Sequence, residues 1–384
     1  MKFIDDAIKE SEQRASQKDS KKLSTLVDEE LLIDIEAVKP KIYVIGTGGA
    51  GNNTISRLTD KGISDVKTIT INTDAQDLYY AKSDEKLLVG KQTCRGLGTG
   101  GKPEKGEISA EENMEEIRDE IADADMVFIT CGLGGGTGSG SAPVIAKIAK
   151  KLGALTVIVA SMPFNSEGPK RRENADNALT KLQENADSVI IVPNEKILDL
   201  APNLSIRSAF MLADEILGKS VKGITDLIMQ PADINLDFED VKTVMEGSGI
   251  CMIGMGESDS GDRALESVFE AINSKLLDLD LSRADRAIVN IFASDELTMD
   301  EANKMVSFVS DSLANNANVI WGLKIDEELQ HTVRTTVIIA GVRPFEIESF
   351  EENSNSIPIS EETPTPEDTT SEILTDDDFF DDIF

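Results

Sequence analysis

KIYVIGTGGAGNN, Lys41–Asn53, joins an apolar strand pattern to a glycine-rich loop, and a helical pattern follows from about Thr54. Glycines allow the tight turn, and the free N–H groups at a helix start attract anions. Taken alone, GTGGAG fits the GxGxxG pattern of dinucleotide-binding folds, and Asp74 lies near the distance expected for the acid that binds a ribose. A nicotinamide-dependent dehydrogenase and a purely structural turn both stay open at this point.

A second loop of the same kind, CGLGGGTGSGSAP at Cys131–Pro143, again follows an apolar strand and precedes a helical pattern, VIAKIAKKLG. Two strand–loop–helix units in one sheet can surround the same anionic ligand. This loop lacks the GK[ST] ending of a P-loop, so backbone amides, Thr137 and a divalent cation must neutralise the terminal phosphates. Because NAD needs only one such loop for its pyrophosphate, the pair favours a nucleoside triphosphate.

Short apolar runs alternate with helical stretches from Lys41 to Asn194, which predicts a parallel sheet covered by helices on both faces. SIRSAFMLADEILGKSVKGITDLIM, closed by Pro231, predicts a long helix, and four strand patterns with two helices follow it. The predicted fold class is α/β: a Rossmann-like parallel sheet joined by a long central helix to a smaller α+β domain. The expected segments are a helical or partly disordered arm at 1–38, the nucleotide-binding domain at 39–204, the connecting helix at 205–230, the α+β domain at 231–345 and an acidic disordered tail at 346–384.

The composition limits the classes of partner. The 384 residues include 71 acidic and 38 basic side chains, and the resulting net charge of -33 repels nucleic-acid phosphates and anionic lipid heads. We therefore expect neither nucleic-acid nor direct membrane binding, and the lack of an apolar span or secretory signal predicts a cytoplasmic protein. The three cysteines form no CxxC pair and are expected to be buried thiols, while His331, the only histidine, is expected at a strand edge.

Two polar stretches keep alternative interpretations. INTDAQDL places Asn72, Thr73 and Asp74 at a strand end, where α/β sheets bind ligands, but side-chain caps of a turn would use the same residues. PFNSEGPKRR places Glu167 and Arg171 four residues apart at a helix start. They could meet a ribose hydroxyl and a phosphate or base, or simply form an exposed ion pair.

A third stretch, NLDFEDVKTVM, carries Asp237 and Asp240 on one face at the start of a predicted helix. Helix capping explains both residues. Two carboxylates could also orient a water for attack on phosphorus, but only if a phosphate reached them from elsewhere.

Six motifs occur in order between about Lys39 and Val342: GTGGAGNN, INTDAQ, GLGTGGKPEKG, GLGGGTGSGSAPV, PFNSEGPKRR and NLDFEDVKTVM. Together they resemble the tubulin/FtsZ family of cell-division GTPases, in particular its archaeal members. The resemblance implies a GTPase that binds GTP and GDP, with Mg²⁺ held mainly through phosphates and water. The implied nucleotide-binding residues are Gly49, Ala50, Gly51, Asn52, Asn53, Asn72, Asp74, Gly98, Thr99, Gly100, Gly136, Thr137, Gly138, Glu167, Arg171, Asn194, Phe210 and Asp214.

Within that set the resemblance implies particular roles. The residues from Gly49 to Asn53 and from Gly136 to Gly138 would hold the phosphates, and the loop GLGTGG would cover the terminal one. Glu167 would meet the ribose, and Arg171 would meet a phosphate or the sugar. Asp214 and Asn194 would meet the guanine edge, with Phe210 packed beside the base. A carboxylate that accepts two N–H bonds from guanine would reject adenine.

The resemblance also implies head-to-tail assembly of identical subunits into filaments of a division ring at midcell. Asp237 and Asp240, with Asn235 placing the water, would act on GTP held by the next subunit. The tail's last residues, TDDDFFDDIF, with Phe379, Phe380, Ile383 and Phe384, would dock in a membrane-attached adaptor. A tubulin-like paralogue that controls cell shape and an NAD-dependent dehydrogenase are the alternatives.

Overall fold

The computed structural model describes residues 39–63, 65–200, 203–229, 234, 236–273 and 281–341. By its contacts the chain divides into Met1–Phe345 and Glu346–Phe384, and every described residue belongs to the first unit. The predictions for the N-terminal arm, Asn235 and the acidic tail lie outside the described residues, and the domain boundaries stay predictions.

The first half builds a parallel sheet, as the apolar runs predict. The strands lie in the order β3-β2-β1-β4-β5-β6. From β1 the chain adds strands toward one edge of the sheet as far as β3, and from β4 it adds them toward the other edge. The ends of parallel strands at such a switch point form a crevice. Both glycine loops follow the two strands that flank it. The strands are β1 (Ile42–Thr47), β2 (Val66–Asn72), β3 (Glu85–Leu88), β4 (Met126–Gly132), β5 (Leu155–Met162) and β6 (Ser188–Pro193).

Helices cover both faces of this sheet because alternate strand residues are apolar on both sides. Val44 of β1 joins a buried cluster with Ile55 and Leu217, whereas its neighbour Ile45 joins one with Ile145. The first two partners lie in α1 and α8, and the third lies in α5. The helices are α1 (Gly48–Asp60), α2 (Ala75–Tyr80), α3 (Pro103–Glu112), α4 (Met114–Glu120), α5 (Thr137–Leu152), α6 (Pro169–Asn185), α7 (Asn194–Leu200) and α8 (Ile206–Met229).

The second half adds four strands to the same sheet. β7 pairs in parallel with β6 through Ser188–Ile190 and Gly249–Cys251, and β10 then runs antiparallel to both β7 and β8. A separate buried cluster forms its core. The elements are α9 (Phe238–Met245), β7 (Gly249–Ser258), α10 (Arg263–Ile272), β8 (Arg286–Ala293), α11 (Met299–Ser312), β9 (Asn318–Ile325) and β10 (Val333–Ala340).

Two helix starts differ from the prediction. α1 begins at Gly48 rather than near Thr54, and α5 begins at Thr137, with Pro143 inside the helix rather than before it. The predicted starts depended on the first apolar residues, but glycines let the chain turn into a helix directly at the strand end. The first helical turns therefore belong to the glycine loops themselves.

The predictions for the three cysteines and for His331 are confirmed. Cys94, Cys131 and Cys251 are buried free thiols, and burial raises the pKa of Cys131 to about 12. His331 is exposed just before β10, and its Nδ1 lies 2.6 Å from Oε2 of Glu296. Within the described ranges, no helix combines the length and apolarity needed to cross a bilayer.

Candidate functional site

A cavity of about 270 Å³ lies at the switch point, beyond the ends of β1 and β4. Both glycine loops reach it, together with residues from the ends of β5 and β6 and from α8. This convergence is what the two loops predict. The lining residues are Thr47, Gly48, Gly49, Ala50, Thr99, Gly132, Leu133, Gly135, Gly136, Thr137, Gly138, Ser161, Pro163, Glu167, Arg171, Asn194, Phe210, Ala213 and Asp214.

The first glycine loop places the start of α1 against the cavity. Gly48 adopts a positive φ of 72°, which favours glycine. A Cβ on Gly51 would lie 2.4 Å from the backbone oxygen of Thr130, so only glycine lets α1 approach β4 this closely. Gly49 and Ala50 line the cavity, and the helix start presents unpaired N–H groups to an anion.

Asn52 and Asn72 are buried behind this loop rather than in the cavity lining. In the amide orientation that satisfies its surroundings, Nδ2 of Asn52 donates to the oxygens of Gly46 (2.9 Å) and Gly48 (3.3 Å). Its Oδ1 accepts from Nδ2 of Asn72 at 3.0 Å. The two amides therefore fix the shape of the loop, while Asn53 is exposed on α1 and does not line the cavity.

The second glycine loop brings Thr137 and Gly138 to the cavity at the start of α5. The hydroxyl of Thr137 is 2.7 Å from that of Thr73, a fully buried residue at the end of β2. The Ser141 hydroxyl donates to the Thr137 backbone oxygen at 2.7 Å. These bonds hold the helix start in place before any ligand arrives.

The loop Gly96–Gly101 contributes Thr99, which is buried in the cavity wall. Gly98 donates from its backbone N to the oxygen of Thr73 at 3.1 Å, and Asp74 caps α2 through the backbone N of Gln76 and Asp77. Gly98, Gly100 and Asp74 do not line the cavity. The capping role of Asp74 accounts for its position at the strand end without a ribose contact.

Glu167 and Arg171 line the cavity and also pair with each other. Oε1 of Glu167 accepts a hydrogen bond from the backbone N of Phe164 at 2.9 Å, which fixes the carboxylate at the start of α6. Glu167 and Arg171 can therefore form an ion pair and still contact a ligand in the cavity.

Asn194, Phe210 and Asp214 form the far end of the cavity. Oδ1 of Asn194 is buried, and no described residue donates a hydrogen bond to it. Phe210 is 40% exposed and meets Phe164 edge to face at 5.1 Å. An exposed aromatic face beside an unsatisfied acceptor suits a planar ligand that carries N–H groups.

Asp214 is the acidic group of this end. Burial raises its pKa from 3.8 to about 6, and the positive charge of Arg57 opposes that rise. Nε of Arg57 lies 3.6 Å from Oδ2 of Asp214. The carboxylate is therefore ionised at neutral pH and can accept N–H donors.

Asp237 and Asp240 lie outside the cavity lining of their own chain. They form the capping box of α9: Oδ1 of Asp237 accepts from the backbone N of Asp240 at 2.8 Å, and Oδ2 of Asp240 accepts from the backbone N of Asp237 at 3.3 Å. Both residues are exposed. Exposed carboxylates remain accessible to a second molecule.

Sequence reasoning missed two residues that support the site, Arg57 and Asn174. Arg57 lies on α1 about one turn after the first glycine loop. Asn174 donates from Nδ2 to the backbone oxygens of Gly101 and Gly134, both at 3.3 Å, and so ties two loops together. These two partners of Asn174 lie 73 and 40 residues away in sequence, so no local sequence pattern indicates its role.

No lysine lines the cavity, but the starts of two helices face it. Their backbone N–H groups and helix dipoles can hold a polyphosphate in place of a lysine. Within the described part of the chain, no group of three His, Cys, Asp or Glu side chains could hold a metal ion. The donor set fits a divalent cation held by phosphate oxygens and water, with hydroxyls such as that of Thr137 nearby.

Comparison with known proteins identifies the family of the chain. The sequence model described as "Tubulin/FtsZ family, GTPase domain" matches residues 41–202, and that described as "FtsZ family, C-terminal domain" matches residues 249–343. Cell division protein FtsZ of Methanothermobacter thermautotrophicus is 59% identical over 343 residues, which cover 89% of this chain and 90% of that protein.

Two further relatives extend the comparison. Cell division protein FtsZ 1 of Thermococcus kodakarensis is 49% identical over 357 residues, covering 92% of this chain and 95% of that protein. The solved structure of an empty FtsZ dimer from M. jannaschii is 51% identical, with a TM-score of 0.78 over 83% of this chain and 93% of that chain. The chain belongs to the tubulin/FtsZ family of GTPases.

Proposed function

We propose that the cavity binds GTP and GDP and that the chain hydrolyses GTP as part of a filament that divides the cell. The observation that carries this proposal is the convergence on one cavity of two helix starts at one end and of Phe210, Asn194 and Asp214 at the other. A phosphate chain fits the first end and a purine base fits the second. The names of the archaeal relatives support the role in cell division.

The phosphates lie against Gly49, Ala50, Gly136, Thr137 and Gly138. Backbone N–H groups and the two helix dipoles replace the lysine of a P-loop. The loop around Thr99 covers the terminal phosphate. The hydrogen bond from the backbone N of Gly98 to the oxygen of Thr73 holds this loop in place. Mg²⁺, bound mainly by phosphates and water, supplies the remaining positive charge. Gly51, Asn52, Asn53, Asn72, Asp74 and Gly100 shape or flank these loops.

The base lies between Phe210 and the polar side chains of Asn194 and Asp214. An ionised carboxylate accepts the two adjacent N–H donors of guanine, whereas adenine would present a lone pair to it and leave the charge unpaired. Glu167 accepts from a ribose hydroxyl, and Arg171 faces the sugar or a phosphate. Base stacking on Phe210 adds apolar contact.

Hydrolysis uses Asp237 and Asp240 of the neighbouring subunit. The support for this step is that both carboxylates are exposed and outside the cavity of their own chain. They orient the attacking water, with Asn235 of the same segment. The contact that brings them to the next nucleotide is heterologous and does not close, so it generates a filament. Loss of the terminal phosphate weakens that contact.

The filament forms the division ring, which we place at midcell in the cytoplasm. The C-terminal peptide with Phe379, Phe380, Ile383 and Phe384 docks in a membrane-attached adaptor, and the chain itself does not bind lipid. Deletion of the last ten residues should abolish adaptor binding. Fluorescent tagging separates a midcell ring from the diffuse or polar structures of a shape-controlling paralogue.

GTP hydrolysis per subunit, measured over a range of protein concentrations with magnesium and with pelleting of polymer, tests the shared site. We expect activity only above a critical concentration. Asp240→Asn keeps an oxygen for the capping bond but removes the charge, and it should bind GTP while hydrolysing it at least about 100-fold more slowly.

Glu301→Gln is the matched control, because Thr298 and Glu301 form an equivalent capping box at the start of α11. This variant should keep wild-type turnover. Turnover independent of protein concentration would place all the chemistry in one subunit and would leave Asp237 and Asp240 as helix caps only.

A further inference from the structure

The carboxylate of Asp214 has a charged neighbour but no hydrogen-bond donor among the described residues. Nε of Arg57 is 3.6 Å from Oδ2, which is too long for a hydrogen bond but still within the range of about 4 Å for an ion pair. Arg57 therefore contributes its charge and leaves the oxygens of Asp214 able to accept from a ligand.

Other charged groups at the cavity do not replace Arg57. Besides Asp214, the charged lining residues are Glu167 and Arg171, which pair with each other. Lys61, the residue that caps α1, pairs with Glu215 of α8, outside the cavity lining. Arg57 is the cation from α1 that acts on Asp214.

We propose that Arg57 is a positioning residue for guanine recognition: its guanidinium keeps Asp214 ionised and aimed at the base, so that both oxygens accept N–H groups. The ligand class is a purine with two adjacent N–H donors on one edge. This inference rests on the proposal that the cavity binds guanine nucleotides. Arg57 does not line the cavity, so it acts through Asp214.

The consequence is a pH dependence of binding. Burial raises the pKa of Asp214 to about 6 even with Arg57 present, so protonation weakens binding below that pH. An adjacent arginine lowers a carboxyl pKa by about one unit or more. Loss of Arg57 would therefore raise the pKa of Asp214, and with it the pH at which binding is half lost, by about one unit. Since only the ionised form binds guanine well, neutralising Arg57 should weaken binding about threefold at pH 6.5 and hardly at all at pH 8.5.

The test is calorimetric titration of the full chain with GDP at pH 6.5 and 8.5. Arg57→Gln and Arg57→Met remove the charge, and the methionine keeps an apolar stem should the glutamine variant fail to fold. Arg57→Lys keeps the charge, and Lys61→Gln removes the neighbouring ion pair of the same two helices. Because the phosphate of GDP also titrates in this range, each variant is compared with wild type at the same pH.

We expect the two neutral variants to lose about threefold more affinity at pH 6.5 than at pH 8.5, while Arg57→Lys and Lys61→Gln follow wild type. Equal losses at both pH values would mean that Arg57 only packs α1 against α8, and no loss at either would exclude any role. Either result overturns the inference. Wild-type protein that binds ADP as well as GDP at pH 8.5 would instead refute the proposed function.

Discussion

Asp214→Asn should make the nucleotide-free protein more stable while it abolishes guanine recognition. The pKa of Asp214 rises from 3.8 to about 6 on folding, because burial disfavours the charged form. That difference corresponds to about 3 kcal/mol of unfolding free energy lost when the carboxyl is ionised. Asparagine is nearly isosteric and carries no charge, so the variant gains at most about 3 kcal/mol of unfolding free energy. The gain is smaller to the extent that Arg57 loses its ion-pair partner.

The sign of the pH dependence follows from the raised pKa. The folded state holds the proton more tightly than the unfolded chain, so the destabilisation is fully present above about pH 6 and disappears as the pH falls through 3.8. The advantage of Asp214→Asn should therefore fall to about half between pH 8 and pH 5.

Denaturant unfolding of nucleotide-free wild type and Asp214→Asn at pH 8 and pH 5 measures this advantage. GDP titration at pH 8 should show at least about a 100-fold loss of affinity, because two hydrogen bonds to a charged acceptor are lost. An equal gain at both pH values, or a less stable variant at pH 8, would refute the electrostatic reasoning.

Three further substitutions test separate parts of the site. Phe210→Ala removes the stacking face and should weaken GDP binding about tenfold or more by calorimetry; unchanged affinity would exclude a base at this position. Gly51→Ala places a Cβ 2.4 Å from a backbone oxygen of β4 and should cost about 1–3 kcal/mol in denaturant unfolding, whereas Gly223→Ala, with open space in α8, should gain about 0.5–1 kcal/mol. Thr73→Val keeps the shape but loses the 2.7 Å bond to Thr137, and it should lower polymer GTPase turnover several-fold without changing the preference for GDP over ADP.

The sheet could be predicted from the sequence because its strands are short apolar runs separated by helical patterns. Each predicted strand is present, and the long helix spans Ile206–Met229. The helix starts at Gly48 and Thr137 could not be predicted from apolar periodicity, because the first turns contain glycine and polar residues. Nor did local pattern show that β7 would pair with β6 and continue the first sheet.

The cavity was predictable in part. Two glycine loops after neighbouring strands indicate one anion site, and the cavity at β1 and β4 brings them together. Asn174 and Arg57 escaped prediction because their partners are distant in sequence, and tertiary packing alone brings them close. Asn52 and Asn72 looked like ligand contacts, but the structure uses their amides to hold the loop.

The capping box at Asp237 and Asp240 shows why a single chain does not reveal whether these carboxylates also act on a nucleotide. The same spacing of carboxylates satisfies the backbone N–H groups at the start of α9 and leaves both side chains exposed. A capping carboxylate keeps lone pairs that another molecule can use. Capping of α9 is therefore compatible with the proposed action of both carboxylates on a nucleotide bound by a second subunit.

Mixing two inactive variants tests the shared site most directly. Asp240→Asn holds GTP but lacks the carboxylate, and Asp214→Asn keeps both carboxylates of α9 but does not hold guanine. If the site spans two subunits, an equimolar mixture should recover GTP hydrolysis up to about one quarter of the wild-type rate, because about one contact in four joins two intact halves. A mixture no more active than the sum of its separate components would contradict a catalytic site built from two neighbouring subunits.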